Sequence, residues 1–341
     1  MSNGGFIGKR IVPTALSGAV GVWNINEAYN ARFDDIWPEL AVAILTDFLI
    51  IGGGGGGGVA GSASLTTDSA ESGGGAGGYL NSYGSEASGG NSASLNALEL
   101  VLGGLYSVSV GAGGAIATNG SNTTFGGLDF NGSTISLAAI GGGAGGDRGD
   151  TAVLGGGSLG GSGGGGGYKL GTETVWSPGS GTANQGNAGG VAVGVQDYAS
   201  LCSTFGFNSG WCEPSDVKGG GGGGAKLVGT GANSNGVGGE GLASSITGSS
   251  VTRAAGGSGR GSRNGNSASM PTGSGSSSIG GGGEGGSSSN AGGDGIVILR
   301  YPNTFSLTNP GGGLTITTAT NGNDKVSSIT AGSGNIEFGA A

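Results

Sequence analysis

Seven consecutive glycines, Gly52 to Gly58, follow directly on the apolar run Phe48-Leu49-Ile50-Ile51. Glycine loses more conformational freedom on folding than any other residue, so a strand that feeds into seven of them needs a device to hold them still. The arrangement recurs along the chain: 91 of the 341 residues are glycine, against about 7% in ordinary proteins. A collagen fold needs a strict Gly-X-Y period and abundant proline, and the chain has 7 prolines and no such period. Disorder goes with few apolar residues and high net charge, whereas 34% of this chain is hydrophobic and only 10% charged.

Between residues 46 and 302 the glycine tracts alternate with short β-like runs, among them DFLIIG, LELVLGG, LYSVSVGAGG, STISLAAIGGG, SSITGSSVTRAAGG and GDGIVILRYP. YSVSV alternates with period two, and IVILRY reads as a strand buried on both faces. The expected class is all-β: a jelly-roll-like β-sandwich with an inserted polyglycine-II helix bundle. Residues 303–341 carry turn signals at Asn309–Gly313, Asn321-Gly322 and Gly332–Gly334, which predict a C-terminal β meander. Residues 1–46 differ in character. Asn24 is a candidate N-cap with Glu27 three residues on, followed by apolar residues at helical spacing up to Pro38, which predicts a short amphipathic N-terminal helix. Three units result: 1–46 for attachment or oligomerisation, 47–302 for the glycine-rich sandwich, and 303–341 for the meander.

The non-glycine residues inside the tracts tend to step by three, as in Ala76 and Tyr79, Val237 and Glu240, or Ala144 and Asp147. Three residues per turn is the period of the polyproline-II conformation, which has no internal hydrogen bonds. Ordering each backbone unit costs roughly 1–2 kcal/mol, while a hydrogen bond to a neighbouring chain returns about 0.5–1.5 kcal/mol and a Cα–H···O contact about 0.5–1 kcal/mol. Such helices are therefore expected to hold only as a hexagonally packed group whose ends are fixed by strands, with side chains only at outward positions.

The succession DFLIIGGGGGGG, LYSVSVGAGG, FGGL, LAAIGGGAGG and GGDGIVILRYP resembles the glycine-rich domain of many bacteriophage tail-fibre and virion proteins, especially those of aquatic phages. The leading GFIGKRIVPTALSGAVGVWNINEAYNARFDDIWP and the trailing LTITTATNGNDKVSSITAGSGNIEF resemble the segments that flank that domain there. Strand-plus-polyglycine designs similar to this one occur in the glycine-rich region of anaplastic lymphoma kinase receptors and in the tail-fibre adhesins of T-even-like phages. The resemblance implies a virion component that faces a host receptor, and it brings no catalytic residues with it.

The chemistry of the chain agrees with a non-enzymatic role. There is no histidine, which removes the commonest general base and zinc ligand, and no cofactor or metal is expected. A net charge of −9 with no basic stripe argues against nucleic acid as partner. No apolar stretch approaches a membrane span, and the N-terminus lacks a signal peptide, so the expected location is the virion, after synthesis in the host cytoplasm. Cys202 and Cys212 are compatible with either a bridge or two free thiols. GGAGGDRG at 142–149 only partly matches a calcium-binding nonapeptide. The RGD at Arg148–Asp150 arises readily in a glycine-rich chain, and the lysine near Gly224 lacks the Ser/Thr of a phosphate loop.

Two stretches, 167–179 and 195–218, interrupt the tracts with aromatic residues. Tyr168, Trp176, Phe205, Phe207 and Trp211 either plug the ends of glycine helices or form a recognition surface with Asp197, Tyr198 and Asn208. Rigid scaffolds commonly display binding residues on loops, and rings beside Asp and Asn suit a surface glycan. Trp23, Tyr29, Phe33 and Trp37 are the candidate attachment or oligomer contacts, with other phage virion proteins and a second copy as partners and a homotrimer as the favoured assembly. The functional expectation is a tail-fibre or adhesin component, and the alternative is a capsid or neck decoration without receptor binding.

Overall fold

The computed structural model describes residues 42–59, 69–147, 155–169, 174–192, 219–231, 236–263, 266–267, 278–285 and 291–341. The predicted N-terminal helix lies outside them. In chain order the first strands are β1 (Ala43–Ile51), β2 (Ser69–Glu71), β3 (Tyr79–Asn81), β4 (Leu98–Val101), β5 (Leu105–Ser109), β6 (Thr123–Leu128) and β7 (Thr134–Ala139). The short β8 (Tyr168–Lys169), β9 (Thr174–Val175), β10 (Leu242–Ser244), β11 (Val251–Arg253), β12 (Arg260–Arg263) and β13 (Asn266–Ser267) follow. The chain closes with β14 (Ile296–Pro302), β15 (Phe305–Thr308), β16 (Leu314–Asn321) and β17 (Asp324–Ala340).

The all-β class and the sandwich are as expected. Ten strands form one antiparallel, nearly closed sheet in the order β3-β1-β14-β17-β5-β6-β7, with β4 on β1 and with β15 and β16 on β17. The 17-residue β17 makes the layers. Its first half pairs with β14 and β16, and its second half pairs with β5 and β15. At the bend Gly332 takes φ 94°, and a Cβ there would come within 1.9 Å of the Gly313 carbonyl oxygen, so no other residue fits.

Period-two alternation sorts the side chains. Phe48 and Ile50 on β1, Val297, Leu299 and Tyr301 on β14, Tyr106 and Val108 on β5, Phe125 on β6, and Ile336 and Phe338 on β17 fill the space between the layers. Tyr301 meets Phe338 edge-on at 5.0 Å, a favoured aromatic geometry. The alternate residues Leu49, Ile51, Ile296 and Ile298 face the glycine tracts together with Tyr79, Ala76 and Ala225. β14 is therefore apolar on both faces, as IVILRY implied. β15, β16 and β17 form as antiparallel strands, but β17 runs through the middle of the main sheet. Residues 303–341 thus share the sandwich core.

The tracts form the expected bundle. Along 72–78 the backbone N–H groups turn to three neighbours in rotation: Ser72, Gly75 and Gly78 donate to Gly146, Gly143 and Ile140; Gly73 and Ala76 to Gly220 and Gly223; Gly74 and Gly77 to Gly283 and Gly280. The carbonyls serve three more neighbours, accepting from Gly52, Gly55 and Gly58, from Ser162 and Gly165, and from Gly257. Six neighbours at a three-residue period is the hexagonal lattice that satisfies every buried amide without a ladder. None of the tract glycines 52–58 and 73–78 has a positive φ, which sets the left-handed form of the three-fold helix. The packing leaves no room for side chains: a Cβ on Gly55 would meet the Gly143 oxygen at 2.2 Å. One detail differs from expectation. Ala76 and Ala144, predicted to point outward, are buried, because the central helices have no outward side; Glu240, Ala291 and Asp294 on peripheral tracts are exposed.

Candidate functional site

The bundle has two ends. At Gly52, Gly78 and Ile140 the tracts leave the sandwich, and at the other end they reach a second, five-stranded sheet in the order β13-β12-β2-β8-β9. Gly219 at this far end donates to the Arg260 carbonyl in β12 at 3.2 Å. Ala192 lies at the same end, because tract 186–192 starts beside the sandwich at Gln185 and runs outward past Gly190, which donates to Gly221. The described residues that flank the aromatic stretch 195–218, Ala192 and Gly219, thus both lie at the tip of the bundle. Its residues Asp197, Tyr198, Phe205, Phe207, Asn208 and Trp211 lie outside the described residues, as do Cys202, Cys212 and Arg148–Asp150. Trp23, Tyr29, Phe33 and Trp37 also lie outside them.

Tyr168 and Trp176 are described, and both pack at the far end of the bundle. Tyr168 is 1% exposed on β8 and offers no ring face to a ligand. Trp176 is half-buried, and its indole lies on the backbone of Gly155, where a Cβ would come within 1.9 Å of Cδ1. Its backbone N–H donates to the Gly167 carbonyl at 3.0 Å, extending the β8–β9 ladder by one pair. The indole Nε1 is buried with no hydrogen-bond partner. Val175, on β9 at this tip, is exposed at 41%.

Asp147 also sits at the tip. Its carboxylate takes a backbone hydrogen bond from Val59, which ties the end of one glycine helix to another. Burial pushes this carboxyl above the ordinary aspartate range, against the pull of that bond. The partial resemblance of 142–149 to a calcium nonapeptide therefore has its acid engaged by the backbone. Among the described residues no three His, Cys, Asp or Glu side chains converge as metal ligands.

The other polar cluster lies where the bundle meets the sandwich. Arg300 bonds Asp324 at 2.8 and 2.9 Å and the Ile246 carbonyl at 3.1 Å, and it covers the Tyr83 ring at 5.1 Å. Glu86 accepts from the backbone and hydroxyl of Ser245, at 2.8 and 2.5 Å, and from Asn81 at 3.2 Å. Burial would raise the Glu86 carboxyl, but these bonds and one from Ser244 outweigh it and hold the group below the ordinary glutamate range. Both acids are spent on fixing loops to the sheet. Sequence reading missed this cluster and Gln185, since a polar residue that serves backbone groups far along the chain leaves no spacing signal.

A two-layer β-sandwich that carries a hexagonal polyglycine-II bundle defines a class of protein in which strands anchor packed glycine helices. Residues 41–302 match the family model described as the glycine-rich domain, and the chain belongs to that family. No curated protein and no solved structure matches it. Among the described residues no helix is long and apolar enough to cross a membrane.

Proposed function

We propose that the protein is a structural component of a bacteriophage virion, a tail-fibre or adhesin subunit that presents the loop 195–218 to a glycan on the host surface. The observation that carries this reading is the placement of the described residues next to the two aromatic stretches, Val42 after the first and Ala192 and Gly219 on either side of the second. Residues 1–41 join the fold at Val42, at the start of β1, and β1 runs from there into Gly52–Gly58 toward the tip. The loop joins at that tip. Nine residues of strand and seven of three-fold helix amount to roughly 50 Å of chain contour between the two junctions. Two junctions held apart by a bundle whose backbone is hydrogen-bonded on six sides suit an adhesin that attaches through one and recognises its ligand through the other.

The strands and glycine helices have too few exposed side chains to discriminate ligands, which leaves the loop as the place for specificity. Binding of the purified chain to an array of bacterial surface glycans tests the proposal, with a variant in which 196–216 is replaced by a Gly/Ser linker as the control. Retention by one glycan class that is lost in the variant, with the melting curve unchanged, supports it. Equal binding, or none, by both proteins favours the decoration reading.

A further inference from the structure

We propose that β16 is a docking edge for a second copy of this chain, so that two β16 strands pair antiparallel about a two-fold axis and join two sandwiches through one continuous sheet. An open strand edge is a template for another strand, and folded proteins protect their edges with charges, prolines, short strands or covering groups. The other edges of the ten-stranded sheet are protected. Gln185 covers the end of β7, with Oε1 on Ile140 N at 2.8 Å and Nε2 on Ala138 O at 3.0 Å. β3 is bonded along its flank by Gln185 and Leu95, and β4 by Phe130. β15 has four residues and is followed by Asn309-Pro310.

β16 has no such device. It is eight residues long, LTITTATN, with neither charge nor proline, and Thr315, Thr317, Thr318, Ala319 and Thr320 are exposed. The two-residue turn Gly322-Asn323, with Gly322 at φ 64°, makes Asn321 and Asp324 the first hydrogen-bonded pair. Alternation along the ladder then turns the N–H and C=O of Ile316, Thr318 and Thr320 away from β17. Among the described residues none of these groups has a partner.

A second copy is the occupant this edge fits. A two-fold sets each residue against itself or its equivalent, so a charged residue would repel its mate, and Leu314–Asn321 contains none. β-branched threonines across the join favour strand pairing. The inference does not rest on the virion reading, and it gives this surface a two-fold where the sequence led to a trimer.

The experiment is light scattering after size exclusion of the full chain at several concentrations, with Thr317→Lys and Thr318→Pro alongside. Thr317→Lys keeps the ladder to β17 and brings two ammonium groups together at the join. Thr318→Pro removes an outward N–H without touching that ladder. The expected result is a dimer for the wild type and a monomer for both variants, with the amides of Ile316, Thr318 and Thr320 exchanging at least tenfold faster in Thr317→Lys. If Thr318→Pro fails to fold, Thr317→Lys decides. A monomeric wild type, a trimer indifferent to the substitutions, or equal exchange at those three amides overturns the proposal.

Discussion

The side-chain amide of Gln185 acts toward Ile140 as a strand would: its Oε1 accepts the Ile140 N–H at 2.8 Å while its Nε2 donates to the Ala138 carbonyl at 3.0 Å. The Gln185 carbonyl also accepts from Tyr79 at the start of β3. β3 and β7 are the two ends of the long sheet, so one residue joins them.

That link predicts a specific sensitivity. Gln185→Leu orphans two partly buried backbone groups, each worth about 1–3 kcal/mol when left unmade, and should lower the stability by about 2 kcal/mol. Gln185→Glu should cost a similar amount, because a carboxylate keeps the acceptor but faces the Ala138 carbonyl with no proton to give. Urea midpoints check both. A change under about 0.5 kcal/mol in each would mean that water replaces the amide without loss.

The bundle predicts which glycines cannot change. A Cβ at Gly55 would sit 2.2 Å from the Gly143 oxygen, and one at Gly165 would sit 2.1 Å from the Gly220 oxygen. Because those neighbours are backbone held by their own bonds, relief requires helices to part. Gly55→Val and Gly165→Val should each cost more than the ~1–3 kcal/mol of ordinary overpacking. Gly84 and Gly311, with open space around them, should tolerate alanine better, limited by their positive φ. Expression and thermal melting of the four variants test the ranking. Wild-type melting of the two valine variants, with fast amide exchange through the tracts, would falsify the packed bundle.

The strands were legible because their information is local. FLII, YSVSV and IVILRY carry their alternation or double burial in consecutive residues, and β1, β5 and β14 form on them. The period of three was legible for the same reason. Which tract neighbours which was not, since a glycine's hydrogen-bond partner leaves no mark on a side chain. Gly73 bonds Gly220 and Gly74 bonds Gly283, although the residues themselves are indistinguishable. Tyr168 illustrates the same limit at the site. A ring flanked by glycine and lysine reads equally as displayed or buried, and only the arrangement of the far-end sheet decides for burial.

Protonation of two carboxyls should move stability in opposite directions. The folded protein holds the Asp147 proton more tightly than the unfolded chain does, so ionisation above the folded pKa destabilises it. Asp147→Asn keeps an acceptor for Val59 and removes the charge, and should raise the melting temperature at pH 7 by an amount that vanishes as the pH falls through the aspartate range. Glu86, held below its ordinary range, contributes stability above that range and loses it as the pH falls through the folded pKa. Glu86→Gln should therefore lower the melting temperature at pH 7 and make little difference once the pH has fallen below the folded pKa. Melting curves from pH 3 to 8 separate the two, and parallel curves for mutant and wild type would contradict the assigned shifts.

The structure also moves the boundary at which the N-terminal segment can be removed. Residues 43–46 of β1 pair with β4, and Ile44 is fully buried between the layers. A chain beginning at Val42 should fold with the wild-type melting temperature. A chain beginning at residue 47 loses that pairing and opens a cavity at Ile44, a change that costs about 2–5 kcal/mol for a large aliphatic side chain. If residues 1–41 are the attachment element, the chain from Val42 should remain folded yet fail to enter particles. Normal incorporation would remove Trp23, Tyr29, Phe33 and Trp37 from that role.

The two aromatic stretches should part company under substitution. The indole of Trp176 lies on Gly155, so Trp176→Ala should lower the melting temperature, with a cost approaching the ~3–5 kcal/mol of a truncated core aromatic, reduced by its partial exposure. Trp211 and Phe207 belong to the loop flanked by Ala192 and Gly219, and on the adhesin reading their rings meet the ligand. Trp211→Ala and Phe207→Ala should leave melting unchanged and weaken adsorption of particles to host cells, since a hot-spot aromatic commonly contributes about 2 kcal/mol or more, a factor near thirty in affinity. Adsorption rate and melting curve measured on the same three variants give a double dissociation that neither a uniform plug nor a uniform binding surface produces. Lowered melting for Trp211→Ala would make the loop part of the far-end packing, and unchanged adsorption for both loop variants would leave the protein a decoration of the particle.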